Sequence, residues 1–207
     1  MTNQKESASV NKKQIEELIL QSLEHERGGV KVYTAALTCT IRHDLKAEWE
    51  KYLAETRTHV KALEDICKTM KIDPKRETPG RAAVRHLGAG LIEVMELTLA
   101  TGDEVSAQLV ACECVVIAET KDHLNWSLLR KCAENVDGDM GKALQTAVDK
   151  FEEEEAEHLF HTKGWCRELW VESLGLTAML PPPEEVMKVK TAMGAAKAEQ
   201  QAAGARN

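Results

Sequence analysis

The chain has 207 residues, 43% of them hydrophobic and 29% charged, and a formal net charge of −7. That composition suits one globular domain with a full core, and the acidic balance argues against a general binder of nucleic acid or anionic membrane. Aromatic residues are only 4% and alternating Val/Ile/Thr runs are absent, so the predicted class is all-α. No apolar run reaches membrane-spanning length, and MTNQKESASV lacks the apolar stretch of a signal peptide, so the expected location is the cytoplasm.

In chain order, residues 1–10 read as a polar, mobile leader. A first helix is predicted from Asn11 to Leu37, with the seam Ile15, Ile19, Ser22, Glu26, Val30, Tyr33 and Leu37. Glu24 falls on nearly the opposite face, and His25 projects about a quarter-turn from Glu26. Asp44 is the expected N-cap of a second helix running to Met70, with the seam Leu45, Trp49, Tyr52, Thr56, His59, Leu63, Ile66 and Met70. Thr78-Pro79 starts a third helix over 79–101, carrying Val84, Leu87, Leu91, Val94, Met95 and Leu99.

A fourth helix is predicted from Asp103 to Glu134. Its stretch QLVACECVVIAET is apolar nearly all round, which predicts the most buried helix. After the turn NVDGDMG, a fifth helix runs from Asp139 to Lys163, with a kink expected at Gly164 before a short amphipathic helix. Pro181-Pro182-Pro183 is expected to close the domain at residue 180, leaving 181–207 as an Ala/Lys-rich tail, loosely helical and mobile over 184–207. The six cysteines, Cys39, Cys67, Cys112, Cys114, Cys132 and Cys166, form no C-x-x-C pair and read as reduced and structural.

The apolar seams are interrupted by ionisable groups. On the fifth helix Leu144, Val148, Phe151, Glu155, His158, Thr162 and Trp165 recur at steps of four and three, so Glu155 and His158 face the core. Glu152, Glu153 and Glu157 fall off that stripe. A run of four glutamates is usually a solvated face, but a buried charge needs a partner, and a metal ion calls for Glu-x-x-His because residues three apart point the same way. In antiparallel hairpins, residues equidistant from the turn lie level. Glu155 is 18 residues after Asp137 and Glu119 is 18 before it; Glu26 is 15 before Ile41 and Thr56 is 15 after. Two hairpins, each with Glu on one helix and Glu plus His on the other, build a dinuclear carboxylate site in a four-helix bundle.

The candidate metal ligands are therefore Glu26, Glu55, His59, Glu119, Glu155 and His158. Glu55, four residues before His59, stands at the seam's edge, with solvation as its alternative; for His59 the alternative is a hydrogen-bonded core histidine. His123, one turn past Glu119, is expected to support that carboxylate. Glu113 is expected to be buried and level with His161.

At these residues the chain resembles the ferritin-like superfamily of ferritins, bacterioferritins and rubrerythrins over roughly residues 11–163. The family's first-helix Glu with a Tyr seven residues later is matched by Glu26 and Tyr33, its third-helix Glu by Glu119, and its final Glu-x-x-His by Glu155 and His158. The second helix departs from the pattern, with Thr56 three residues before His59. The strings HERGGVKVY and HTKGWCRELW are also similar to a bacterial group of ferritin-like domain proteins. The resemblance implies a ferritin-like four-helix bundle, with an extra crossover helix and a short C-terminal helix here. It implies dinuclear iron, or manganese, for O2- or peroxide-linked oxidoreductase chemistry. A homo-oligomer, as a dimer through bundle faces, and a separate reductant are the expected partners. The alternatives are a non-enzymatic iron-binding or stress-associated protein, and a metal-free scaffold, which Thr56 favours.

Overall fold

A computed structural model describes residues 10–204, so the leader expected over 1–10 lies almost wholly outside the described residues. Among the described residues 83% of the structure is helical and no strand occurs, as the all-α class requires. The helices are α1 (Lys12–Cys39), α2 (His43–Thr69), α3 (Pro79–Thr101), α4 (Glu104–Ala133), α5 (Gly138–Ser173), α6 (Pro183–Val186) and α7 (Ala192–Gly204). None of them is long and apolar enough to cross a membrane.

Local chemistry sets the starts. The Asn11 side chain accepts from the Gln14 N–H, Thr78 from Arg81, and Asp103 from Ser106, each satisfying a donor that the first turn leaves free. Asp44 is not the cap expected of it. α2 begins two residues earlier than that cap would place it, with Arg42 at the cap position, and Asp44 sits in the first turn, where it pairs with Arg42 and accepts from the Leu45 N–H at 2.9 Å.

α1 packs on α2 and α4, and α5 packs on the same two, so these four helices close a ring. α3, the connection between the hairpins, lies outside it against α1 and α4. The seams of α2 and α5 are buried, Met70 excepted, as their periodicity predicts. α3 keeps only Arg81, Val84 and Met95 buried, while Leu87, Val94 and Leu99 face solvent. α4 likewise is not buried all round: Ile117, Leu124 and Leu128 form an exposed stripe, because only one face of this helix meets the ring.

Two apolar clusters fill the ring. One joins Leu23 of α1, Leu63 of α2, Trp126 of α4 and Phe151 of α5; the other joins Val32, Leu53, Ala118 and Trp165 of the same helices. Between them one buried level turns polar, with Glu26, His59, Glu119 and Glu155 contributed by the four helices.

α5 runs unbroken through Gly164, against the expected kink. The missing side chain serves close approach instead: a Cβ there would stand 2.5 Å from Glu184 Oε2 and 3.0 Å from Pro182 Cβ. The segment after the prolines is correspondingly folded back rather than loose. Arg167 holds the Glu184 carboxylate with both guanidinium arms, at 2.6 and 2.9 Å. Val189 and Ala198 join Ala156, Leu159 and Phe160 of α5 in a third apolar cluster. All six cysteines are free.

Candidate metal centre

The polar layer is occupied by Glu26 from α1, Thr56 and His59 from α2, Glu119 and Asp122 from α4, and Glu155 and His158 from α5, all buried. Two trios converge there. Glu26, His59 and Glu155 form one, and Glu119, Glu155 and His158 the other; within each, one ligand atom per residue lies within 4.8 Å of the others. Glu155 belongs to both. His59 Nδ1 is 2.6 Å from Glu155 Oε1 and 3.6 Å from Glu26 Oε1, and His158 Nδ1 is 3.7 Å from Glu119 Oε2 and 3.8 Å from Glu155 Oε1.

These contacts are close without being hydrogen bonds. Both oxygens of Glu155, Oε2 of Glu26 and of Glu119, and Nδ1 of both histidines are buried and lack a hydrogen-bond partner. Buried polar atoms are nearly always paired, so these six stand out, on residues whose donor atoms are close enough together to hold a cation. The outer nitrogens are satisfied. His59 Nε2 meets Glu154 Oε2 at 3.0 Å, and His158 Nε2 meets Glu55 Oε2 at 2.9 Å. An outer carboxylate of this kind fixes the ring and its tautomer, leaving the inner nitrogen free to ligate.

The arrangement has an approximate twofold character relating α1–α2 to α4–α5. Each outer carboxylate stands four residues before the histidine of its own helix and serves the histidine of the other. Seven residues past each single glutamate stands an aromatic that crosses over: Trp126 donates to Glu26 Oε1 at 2.8 Å, while the Tyr33 phenol lies beside Glu119. The symmetry breaks at two positions. Three residues before the histidine stands Glu155 on α5 but Thr56 on α2, whose hydroxyl turns back to the Tyr52 carbonyl at 2.8 Å. Three residues past the glutamate stands Asp122 on α4 but Gly29 on α1, and a Cβ on Gly29 would lie 3.3 Å from Thr56 Cγ2. So α1 and α2 close together where α4 and α5 carry two carboxylates.

Electrostatics follow from this crowding. Burial and the neighbouring Glu26 raise the Glu155 carboxyl to about 7, against the opposing pull of His59. Burial, with Glu155, Glu26 and Glu119 nearby, raises Asp122 well above the carboxylate range. Burial alone would depress the histidines. Glu154, Glu155 and Glu26 outweigh it at His59, and Glu119 and Glu55 lift His158 to about 10. Four buried carboxylates, Glu26, Glu119, Asp122 and Glu155, face two imidazoles. Two dications with neutral imidazoles would balance them; protons alone must neutralise carboxylates one at a time.

Of the residues read from the sequence, Glu26, His59, Glu119, Glu155 and His158 are brought together. Glu55 is not among the inner donors: position four before His59 carries it round to the outer edge of His158, with its side chain 25% exposed. Tyr33 lies edge-on to His158 with ring centroids 6.3 Å apart. His123 packs on Phe160 at 5.8 Å with Nδ1 unpartnered, rather than supporting Glu119. Glu113 is exposed, not buried, and accepts from Trp170 Nε1 at 2.9 Å; His161 instead meets the Tyr52 hydroxyl at 2.9 Å and Glu48 at 3.4 Å. The sequence reading missed Asp122 and Glu154. Asp122 follows Glu119 by the three-residue spacing that relates His158 to Glu155, and Glu154 precedes His158 as Glu55 precedes His59.

Compared with family models, curated proteins and solved structures, the chain matches none.

Proposed function

We propose that this chain is a ferritin-like protein that binds a dinuclear iron or manganese centre in its polar layer. Glu155 would bridge, Glu26 and His59 would complete one metal's ligands, and Glu119 and His158 the other's. The observation that carries the reading is Glu155, buried, without a hydrogen bond at either oxygen, and shared by the two trios. When bound, such a centre supplies one-electron chemistry with O2 or peroxide. The protein's part is to hold the donors. Glu55 and Glu154 fix the two rings, Trp126 holds one oxygen of Glu26, and the apolar clusters above and below exclude water. In this reading the electrons would come from a separate reductant.

A second reading rests on Thr56. With the second-helix carboxylate replaced by a hydroxyl that is already hydrogen-bonded, the layer could be the polar core of a metal-free scaffold, its histidines protonated against the glutamates. Metal content decides between them. After anaerobic reconstitution with Fe(II), and separately Mn(II), the first reading predicts about two ions per chain, lost in Glu155→Ala with helicity intact. Near-zero metal in both proteins would leave the scaffold reading. Peroxide turnover by the loaded protein would then separate an oxidoreductase from a non-enzymatic iron binder.

A further inference from the structure

A cavity of about 150 Å³ lies between α1, α3 and α4, outside the metal layer. Val32, Val84, Leu91 and Ala118 give it apolar walls, and Leu87 and Ile117, 66% and 58% exposed, stand at its mouth. The space exists because side chains are missing. A Cβ on Gly28 would meet nothing within 4 Å, and one on Gly88 would meet only the Gly28 Cα at 4.0 Å. Neither glycine is there to relieve a clash, yet each costs its helix about 1 kcal/mol relative to alanine.

Two polar groups line the cavity. Lys121 is half-buried, donates to the Asn125 side-chain oxygen and, among the described residues, has no carboxylate within ion-pairing distance. His25 spans the α1–α4 seam, with Nε2 3.0 Å from the Ala118 carbonyl oxygen, and senses the charges of Glu26 and Glu119. The cavity thus adjoins the metal layer across a single ring. Its volume matches that of an apolar cavity that accepts benzene.

We propose that this cavity binds a small monoanionic organic molecule, an aromatic or short-chain carboxylate, with its apolar body against Gly28 and Gly88 and its anionic end on Lys121. Its role beside a redox centre rests on the function proposed above; the binding does not.

The experiment is a calorimetric titration of the full chain with benzoate and with benzylamine, which has the same ring and the opposite charge. Benzoate should bind at least about tenfold more tightly. Gly88→Leu, which fills the cavity, should abolish binding while leaving metal content unchanged. Lys121→Gln should remove the preference for benzoate. Gly28→Val serves if Gly88→Leu does not fold. Absence of benzoate binding, or binding undiminished by the filled variants, overturns the proposal. A chain that binds benzoate but no metal would refute the redox centre and leave this site standing.

Discussion

Glu155 carries two carboxylate oxygens into a space where neither finds a hydrogen bond. Burial raises the Glu155 carboxyl to about 7, so above that pH its charged form opposes folding by on the order of 1–4 kcal/mol. Glu155→Met is therefore expected to raise the stability of the metal-free protein by about that amount in urea denaturation, while removing metal binding. A loss of stability of the same size would mean that Glu155 holds the helices together through its own pairings. Asp122→Asn keeps the shape and removes one of the layer's four carboxyl groups, each able to ionise against a bound cation. The charge balance predicts that metal content falls from about two to about one per chain, read by elemental analysis; an unchanged content would show that Asp122 is not needed to offset the cations. The inner donors were legible because each falls on an apolar seam, where a charge is conspicuous. Glu154 was not, and Glu55 was placed among the inner donors, because the outer edge of a histidine is reached from the margin of the seam, where a glutamate looks solvated.

Among the elements, α3 was read as an apolar helix, and its attachment to α1 was not foreseen. Glu24, on the face of α1 away from Glu26, accepts from Arg81 and Arg85 of α3, and Arg81 also donates to the Pro74 and Arg76 carbonyls at 3.1 and 2.8 Å. Arg81 is 2% exposed. Arg81→Met is expected to cost about 3 kcal/mol, since it strands a mostly buried carboxylate. The Arg85 hydrogen bond, against burial and with help from Arg81, holds the Glu24 carboxyl below its usual range. Its contribution is thus present above the unfolded value, about 4.3, and is lost as pH falls through the folded one. Glu24→Gln should be destabilised relative to wild type at pH 7, with the difference closing in strong acid; a difference independent of pH would contradict this account.

The docking of the tail on α5 was not foreseen, because Ala- and Lys-rich composition says little about packing. What fixes the tail is Gly164 on α5 and the ion pair of Arg167 with Glu184. Gly164→Ala should loosen it, seen as faster hydrogen exchange over residues 183–204, with α1 to α4 unaffected. Unchanged exchange there would mean that the close approach at Gly164 does not hold the tail down.

At the scale of the molecule, one design recurs in both hairpins: an apolar cluster at each end and a charged level between them. The length of each helix and the position of each turn set that level, which is why counting from the turns located it before any side chain was placed. The same counting could not reveal that the two halves differ, with Thr56 and Gly29 closing one side while Glu155 and Asp122 open the other. That asymmetry concentrates three of the polar layer's four carboxylates on α4 and α5. The central claim is that two cations share Glu155 in this layer. The most direct measurement is anomalous X-ray scattering from crystals loaded with Fe(II) or Mn(II). The account predicts two peaks about 3.5–4 Å apart, flanking Glu155 and in reach of His59 and His158. A layer without peaks, or a single peak away from Glu155, would contradict it.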